Sequence, residues 1–596
     1  MAQRRWARVA VRTVEQLRPA ASSEGAIVGG SRSRLHGVRV LGFHGVSLPV
    51  ALLLGAAITS GVLLIVLQSH LTFLIDDWDL LLQRRGFSAN VFLEPHNEHI
   101  IVAPTIVYKA IQATFGMHSI VPFAVAATAV FVASAVLLFA FLRRRIGEWL
   151  ALAAAVLILF MGSAYEDLLS PFQIGYFGSV ACGIGALLLL ERRARRRDAV
   201  ACGLLVGSTL FSSVGLPFIA GAAIAIALDS QTRRRAYVVA VPIFLYLLWY
   251  LGWGHTGNTQ LSFDNLATSP SYILDGFASS LASLFGLDLA TGRALLVALV
   301  FVAALRLRTL RSTPRGLWVA IAIAVSFWFL IAFDASLGRP PTASRYQYLG
   351  AVFIFMTAAE LARGVRPGRR ALIAVFAVVG AASLSNMSTL HRAYEGLDNE
   401  GDIVRADLSA LEIAADTVRP GFELTPGNSD FNYFGFVDAG SYLSAAMKFG
   451  SPAYTPSELA AASEPARVAA DKVLAGALPA TFEPVSRLPS PDGPAPLLVG
   501  PAAPRATASG GCLDVRPSGG ANAVVSLPPG GAMLRASPGA TAQVRARRYA
   551  SESFPVAVGA LRGAAILDIP EDRASEPWEL ELDSPRPVRV CGRSAG

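Results

Sequence analysis

Long apolar runs recur along the first two thirds of this 596-residue chain, and short arginine clusters separate them. The first run, residues 46–67, carries no charge and is long enough to cross a bilayer as one helix. Charged residues make up 16% of the chain, against about 25% in ordinary soluble domains, and the deficit lies in these runs. Because lipid offers the backbone no hydrogen-bond partners, the pattern predicts a polytopic helical membrane protein.

The arginine clusters predict which side of the membrane each loop occupies. They lie at residues 143–145, 192–197, 233–235, 306–315 and 363–370. Positive loops stay in the cytoplasm and attract anionic lipids, so the net charge of +9 indicates membrane lipids as partners and excludes nucleic acid. Counting runs between clusters predicts about eleven transmembrane helices, with the N-terminus cytoplasmic and the C-terminal domain extracytoplasmic. Between two clusters, residues 199–229 are interpreted as two short helices that turn back at residues 211–215. Residues 254–292 are predicted to be an outer loop, residues 371–384 the last span, and residues 402–418 a separate helix.

Composition divides the chain into five segments. They are a basic cytoplasmic tail (1–45), an all-α transmembrane bundle (46–390), a mainly helical extracytoplasmic region (391–483), a proline-rich linker (484–510) and a small β-sandwich-like domain (511–596). Short alternating segments separated by Gly and Pro are typical of the strands of such a domain. The scarcity of lysine beside arginine is typical of GC-rich bacterial genomes, so we expect a bacterial inner membrane protein.

The four cysteines fall into two groups. Cys182 and Cys202 lie in apolar runs and are predicted to be packing residues. Cys512 and Cys591 lie near the two ends of the last domain. If that domain is outside the cytoplasm, a disulfide can join them.

The densest set of ionisable residues follows the first apolar run. Asp76 and Asp77 come first, and Glu94, His96, Glu98 and His99 follow in the same predicted outer loop. Adjacent residues do not share a helix face, so we expect one aspartate to face a membrane cavity and the other to face solvent. Partial desolvation would raise a carboxyl pKa toward the range of a general base. Solvated acids that end a span, in a loop that caps the next helix, are the alternative interpretation.

Imidazole and carboxylate side chains also suit a divalent cation such as Zn²⁺ or Mn²⁺. The candidate ligands are Asp77, His96, His99 and Asp167. The order His-Asn-Glu-His at residues 96–99 matches neither H-E-x-x-H nor H-x-x-E-H, which argues against a zinc peptidase. Hydrogen bonding to a sugar or phosphate is an equal alternative for these histidines, so the sequence leaves a metal cofactor open.

Two later outer loops add candidate substrate-binding residues. Glu166 and Asp167 lie in a short loop, where they could orient a hydroxyl, complete a cation site or simply be solvated. Arg339, Arg345 and Tyr346 precede a late apolar run, and the two arginines break the charge bias of their side of the membrane. Arginine binds phosphate through two parallel hydrogen bonds, which suits a lipid phosphate; snorkelling at a helix end is the alternative.

These groups together predict glycosyl transfer from a polyprenyl-phosphate sugar to a cell-envelope glycan or protein. A carboxylate would take the acceptor's proton and arginines would stabilise the departing phosphate. Attack from the face opposite the phosphate would invert the anomeric centre. The alternative is a transporter or flippase of a lipid-linked sugar, without bond chemistry. Such a protein should show interrupted helices at matching positions of two halves, and the sequence has one such interruption, near Ser212.

Over roughly residues 45–390 the chain resembles the glycosyltransferase class C superfamily of integral membrane enzymes. The resemblance rests on Asp76-Asp77 after the first span, residues 94–99, Glu166-Asp167 and Arg345-Tyr346. It implies a multi-span helical fold and a lipid-phosphate sugar donor used at the outer face. It further implies that Asp76 or Asp77 is the catalytic base and that Arg345 binds the donor phosphate. The C-terminal region resembles accessory, carbohydrate-binding domains at the level of fold only.

Overall fold

The computed structural model describes residues 47–229, 232–259, 262–310, 312–336, 338–499, 505–516, 522–528, 531–570 and 572–593. The predicted basic tail, residues 1–45, lies outside this part of the chain. From Leu48 onward the chain forms a helical bundle, then smaller helices and two β-sheets. The prediction of a mainly helical chain with a β-rich C-terminal region is therefore confirmed.

The helices differ widely in length. The longer ones are α1 (Leu48–Gln68), α2 (Val102–Phe115), α3 (Val121–Ile146), α4 (Glu148–Leu159), α5 (Ile174–Leu190), α6 (Arg195–Phe211), α7 (Gly215–Ala227), α8 (Tyr237–Gly252), α9 (Phe263–Ser283), α10 (Leu289–Thr309), α11 (Arg315–Phe333), α12 (Ser344–Leu361), α13 (Arg369–Ile413), α14 (Ala439–Phe449) and α15 (Glu464–Ala477). Short helical turns lie at Asp76–Trp78, Asp79–Gln83, Ala89–Leu93, Gly162–Ala164, Tyr165–Leu168, Pro171–Gln173, Thr232–Arg235, Gly254–Thr256 and Pro456–Ala461.

Six helices in the described residues are long and apolar enough to cross a membrane. They are Leu48–Gln68, Val121–Ile146, Pro171–Leu190, Leu289–Thr309, Arg315–Phe333 and Arg369–Ile413. The pair Glu148–Leu159 and Gly162–Leu168, bent by 43°, gives a seventh span if it is counted as one. Gly215–Ala227 and Tyr237–Gly252 are shorter apolar helices. A multi-pass membrane protein is supported, while the count of about eleven spans stays a prediction.

The arginine clusters meet at one end of the bundle. Arg145 at the end of α3 contacts Glu191, at 3.0 Å, and Glu360. Arg193 pairs with Asp229 at 2.7 Å, and the Arg306 guanidinium donates to the Arg363 carbonyl at 3.0 Å. Cations at helix C-termini also favour the helix dipole, as at α3, which Gly147 ends with a φ of 80°. The clustering is what the positive-inside pattern requires.

Two segments differ from the sequence interpretation. Residues 254–292, predicted as an outer loop, contain the 21-residue helix α9, which begins where the Ser262 hydroxyl accepts the Asn265 backbone N–H at 3.0 Å. Many residues of α9 are polar, so the sequence alone does not reveal the apolar face that packs on the bundle. Residues 371–384 and 402–418, predicted as separate elements, belong largely to the single helix α13. No proline interrupts the polar stretch between them, so the helix continues.

Helix α13 connects the membrane bundle with the C-terminal region. Its 45 residues span about 68 Å, roughly twice the thickness of the hydrocarbon core. Helices α14 and α15 pack against its distal part. On α15, the Asp471 carboxylate accepts the backbone N–H groups of residues 548–550 at 2.9 to 3.2 Å and so joins the helices to the β-sheets.

The C-terminal region contains two antiparallel sheets with a shared apolar core. The strands are β1 (Thr481–Val485), β2 (Leu497–Val499), β3 (Arg505–Ser509), β4 (Cys512–Arg516), β5 (Ala523–Ser526), β6 (Ala532–Ala536), β7 (Thr541–Arg547), β8 (Val556–Arg562), β9 (Ala564–Asp568), β10 (Glu579–Asp583) and β11 (Val588–Gly592). One sheet has the order β1-β9-β6-β11-β4-β3 and the other β2-β5-β10-β7-β8. Val590 of the first and Leu580 of the second are both fully buried.

Cys512 and Cys591 face each other on the paired strands β4 and β11 and form a disulfide. Strands β1, β2 and β3 overlap the segment interpreted as a proline-rich linker, residues 484–510. Pro484 lies in β1 at the edge of its sheet, the kind of strand position in which proline is tolerated. The first three strands thus form from residues that carry few local strand signals.

Candidate active site

The acidic segment after α1 forms a short helical turn, Asp76–Trp78, that continues as a π-helical turn, Asp79–Gln83. Trp78 is fully buried, with ring centroids 5.8 Å from Phe73 and 6.3 Å from Tyr442 on α14. Ile75 enters the turn with a φ of 34°, which is rare for a β-branched residue. The buried Trp78 ring anchors the turn to the surrounding helices. The unusual backbone at Ile75 is of a kind that is concentrated at functional sites.

His96 lies between two carboxylates of this turn. Its Nε2 is 3.1 Å from Asp76 Oδ1, and its Nδ1 is 2.8 Å from Asp79 Oδ2. Asp76 and Asp79 are three residues apart, so both face the same side of the turn. The Asp76 side chain is 37% exposed, against 4% for His96 and 11% for Asp79. Asp76 is thus the carboxylate of this group that solvent reaches.

The charges of His96 and Asp79 stabilise each other. Burial disfavours the imidazolium form of His96, but the hydrogen bonds and charges of Asp76 and Asp79 prevail and raise its pKa to about 9. Burial also acts against ionised Asp79, yet His96 and Arg84 hold its pKa below the ordinary value. The Arg84 Nε donates to Asp79 Oδ2 at 3.0 Å. At neutral pH the His96 imidazolium and the Asp79 carboxylate are therefore both charged.

Asp77 occupies a different environment from Asp76. Its side chain is buried, accepting the Tyr108 hydroxyl at 2.5 Å and the Leu74 backbone N–H at 3.1 Å. Burial is the main reason that its pKa rises to about 7, although the Tyr108 hydrogen bond acts in the opposite direction. The structure therefore gives the two aspartates different surroundings: Asp76 is accessible, and Asp77 ties the turn to α2.

The loop at residues 94–100 links this turn to the arginines. His96 and His99 exchange backbone hydrogen bonds of 3.0 and 2.9 Å, with Asn97 between them at a φ of 51°. The tight loop points Glu98 toward Arg339, whose guanidinium binds both Glu98 carboxylate oxygens, at 2.6 and 2.8 Å. The Glu94 side chain is exposed, and only its backbone carbonyl participates, accepting from Arg84 at 2.9 Å.

Arg339 and Arg345 differ in how closely carboxylates of the protein contact their guanidinium groups. Arg339 contacts the carboxylates of Glu98 and Asp334, and those acids raise its pKa against the effect of burial. The charge of His99 and, after it, the ion pair with Arg339 hold the pKa of Glu98 below its ordinary value, although burial acts to raise it. Arg345 is 35% exposed, its closest carboxylate is Glu166 at 3.7 Å, and its guanidinium lies over the Tyr346 ring at 5.4 Å. Arg345 retains more capacity for an external anion.

Asp167 is buried beside this group, and neither of its carboxyl oxygens has a hydrogen-bond partner among the described residues. The charges of Glu166 and Arg345 both act on it. The Nδ1 atom of His99, whose ring meets that of Tyr176 edge to face at 6.1 Å, is likewise buried without a partner. Buried polar atoms without partners are rare, and here they mark a region suited to a polar ligand.

The residues present do not fit a metal ion. Among the described residues, no three His, Cys, Asp or Glu side chains come together as a ligand group. Of the candidate ligands Asp77, His96, His99 and Asp167, Asp77 accepts from Tyr108, and both nitrogens of His96 contact carboxylates. No chemical step is therefore derived through a cation.

The sequence interpretation assigned no role in the site to Asp79, Arg84, Tyr108, Asp334 or Phe436. The spacing of Asp76 and Asp79 is a signal that could have identified the first. Phe436 comes from a loop between α13 and α14, where its ring lies 5.9 Å from that of His96 and its carbonyl accepts from the Gln83 side chain at 2.8 Å. No local pattern predicts such a contact across 340 residues.

Comparisons with known proteins give little additional information. No protein-family model matches the chain, and no curated protein matches it. Among solved structures it is similar to "Crystal Structure of ArnT from Cupriavidus metallidurans bound to Undecaprenyl phosphate". The identity is 11%, the TM-score is 0.40, and the match covers 67% of this chain and 88% of that chain. Similarity at this level carries no argument about activity, so the function is inferred from the side chains.

Proposed function

We propose that the protein is a membrane glycosyltransferase that moves a sugar from a polyprenyl-phosphate donor to a cell-envelope glycan or protein. The Asp76 carboxylate takes the proton of an acceptor hydroxyl as its oxygen attacks the anomeric carbon. The bond from that carbon to the phosphate oxygen breaks, and polyprenyl phosphate leaves with the electron pair. Attack from the opposite face inverts the anomeric centre. Arg345 binds the departing phosphate.

The observation that carries the proposal is the environment of Asp76. Its Oδ1 is held by His96, while its Oδ2 accepts no hydrogen bond from a described residue. The carboxylate is accessible and oriented, as a general base must be. Through the loop at residues 94–100, the same His96 is linked to the segment that carries Arg339 and Arg345.

The other residues position these two groups. Asp79 and Arg84 hold His96, Asp77 anchors the turn through Tyr108, and the Glu98–Arg339 pair fixes the loop. Glu166, Asp167 and Tyr346 surround Arg345 and suit hydrogen bonds to donor hydroxyls. In this arrangement the site faces the extracytoplasmic side of a bacterial inner membrane, away from the arginine clusters.

The test is a transfer assay on the full-length protein in lipid nanodiscs. Polyprenyl-phosphate-linked pentoses and hexoses are supplied with an envelope glycan fraction, and release of polyprenyl phosphate is followed by mass spectrometry. The expected result is release that depends on the protein and the acceptor, with the sugar recovered on the glycan. A transporter would instead move intact lipid-linked sugar across sealed vesicles without releasing polyprenyl phosphate, and that result would contradict the proposal.

The raised pKa of His96 predicts an alkaline limit to activity. Below a pH of about 9 the imidazolium holds Asp76 and Asp79; as the pH rises through that value, the charge is lost and the two carboxylates are left facing a neutral ring. We expect kcat/KM to fall across this range, and His96→Gln to lack the fall. The exposed His391 provides the control, since His391→Gln should retain it. If kcat/KM of His96→Gln falls at high pH as in the wild type, the fall does not come from deprotonation of His96.

A further inference from the structure

An apolar groove lies between α7 and α11, apart from the candidate active site. It has a volume of about 850 Å³, and its walls include Ala223 and Ala227 on α7 and Trp318, Val325 and Phe329 on α11. The volume falls within the range of about 300–1,000 Å³ that is usual for ligand sites. The Ser326 hydroxyl at its wall already donates to the Ile323 carbonyl at 3.1 Å, so the lining presents no unsatisfied side-chain hydroxyl.

The groove results from the residues that the two helices place between them. At its floor the helices approach so closely that a Cβ on Gly221 would lie 2.5 Å from an Ile323 side-chain carbon. Beside this contact α7 offers alanines, while α11 offers large side chains, of which Trp318 is 52% exposed. Small residues opposite large ones leave a furrow that opens sideways, toward the membrane.

One end of the groove lies at the arginine-rich end of the bundle. Contacts connect the two helix ends there: Gly316 of α11 adjoins Glu360, Glu360 pairs with Arg145, and Arg145 pairs with Glu191. The preceding Leu190 carbonyl accepts from Arg235 at 3.1 Å, and Arg235 pairs with Asp229 just after α7. The end of α7 and the start of α11 therefore share one end of the bundle.

That end is opposite the candidate active site. Helix α3 begins beside Tyr108 and Phe73, which contact its Phe123, and ends at Arg145. From Val121 to Arg145 the helix rises by about 36 Å. The groove entrance and the Asp76 turn are thus on opposite sides of the membrane.

Exposed cations stand at the entrance. Arg315 is one turn from Trp318, and residues 315, 318, 322, 325 and 329 follow one face of α11. Arg233 and Arg234 follow the end of α7, and within the described part of the chain no ion pair engages any of these three arginines. The acids nearby are already neutralised, Glu360 by Arg145 and Arg363, and Asp229 by Arg193 and Arg235.

We propose that this groove is a binding site for an anionic phospholipid of the leaflet on the arginine-rich side. One acyl chain lies along Trp318, Val325 and Phe329, and the lipid phosphate binds Arg315 with Arg233 or Arg234. The stripe from Arg315 to Phe329 is about 21 Å long, enough for the tail of one leaflet, which is about 15 Å deep. Basic pockets between transmembrane helices on this side are suited to anionic headgroups.

Native mass spectrometry of the full-length protein tests the site. Dioleoylphosphatidylglycerol or dioleoylphosphatidylcholine is titrated into the detergent-solubilised protein. We expect one phosphatidylglycerol to bind at least about tenfold more tightly than phosphatidylcholine, because charged guanidinium–phosphate hydrogen bonds favour the anionic lipid. Arg315→Gln should remove that preference, and Ala223→Trp, which fills the groove, should weaken both lipids.

Two controls make the result decisive. Arg196→Gln removes another exposed arginine at the same end but away from the groove, and it should leave binding unchanged. Polyprenyl phosphate is added as a competitor. Equal binding of both phospholipids, insensitivity to Arg315→Gln, or displacement of phosphatidylglycerol by polyprenyl phosphate would each overturn the proposal, the last by assigning the groove to the donor lipid.

Discussion

Replacing Asp76 by asparagine is expected to lower the rate of sugar transfer by about 10²–10⁴-fold, as loss of a general base does. Asparagine keeps the size of the side chain and its contact with His96, but it cannot accept the hydroxyl proton. The loss should appear in kcat, while the affinity for the polyprenyl-phosphate sugar stays within about threefold of wild type. Steady-state kinetics in nanodiscs with saturating donor measure both quantities.

Two further variants separate catalysis from folding. Glu395→Gln changes an acid of α13 that is 60% exposed and contacts the exposed His391, and it should transfer at the wild-type rate. Asp77→Asn alters the buried partner of Tyr108, and we expect a smaller loss than for Asp76→Asn, together with a lower melting temperature. A fully active Asp76→Asn, or an inactive Asp77→Asn at unchanged stability, would reverse the roles of the two aspartates.

The second large effect is expected at the arginines. Arg345→Ala should impair sugar transfer, whereas Arg339→Ala should impair stability. Arg345→Ala removes a partly exposed guanidinium whose nearest carboxylate is 3.7 Å away, so the fold should persist. Transfer should fall by about 10²–10³-fold, the usual cost of removing a group that stabilises charge in the transition state. Donor binding should weaken as well. Kinetics and donor titration on the same preparation give both values.

Arg339→Ala should instead act on stability. Its loss leaves Glu98 and Asp334, with side chains 25% and 9% exposed, without their shared cation. Breaking a buried ion pair costs about 3–5 kcal/mol, and partial exposure puts this case near the lower value. Arg339→Lys should recover part of the stability. Normal melting of Arg339→Ala with lost donor binding would instead make Arg339 a phosphate ligand, as the sequence alone suggested.

Local sequence patterns predicted much of this architecture because backbone groups in lipid must form their hydrogen bonds within the protein, which favours helices. Uncharged runs predicted helices such as α1, arginine clusters predicted the charged end of the bundle, and alternation predicted strands such as β7. The elements that the sequence patterns missed lack such local signals. Helix α9 is too polar along its length to resemble a span, and β1 depends on pairing with β9, about 80 residues away. Such elements are decided by tertiary packing.

The sequence predicts candidate site residues one by one but not the contacts among them. Composition identified Asp76, His96, Glu98 and Arg345 as unusual for a membrane boundary. It could not show that His96 bridges Asp76 to Asp79, because that contact depends on the strained turn at Ile75. Nor could it distinguish Arg339 from Arg345, because the difference lies in which acids reach each guanidinium.

Photo-crosslinking of the donor lipid's head tests whether these acids and arginines bind a polyprenyl phosphate. An analogue with a diazirine next to the phosphate is irradiated with the protein in nanodiscs, and the modified peptides are identified by mass spectrometry. We expect adducts in residues 72–100 and 338–348, and fewer of them in Arg345→Ala or when polyprenyl phosphate is added in excess. Adducts confined to the arginine-rich end, or spread along the bundle without competition, would contradict that binding.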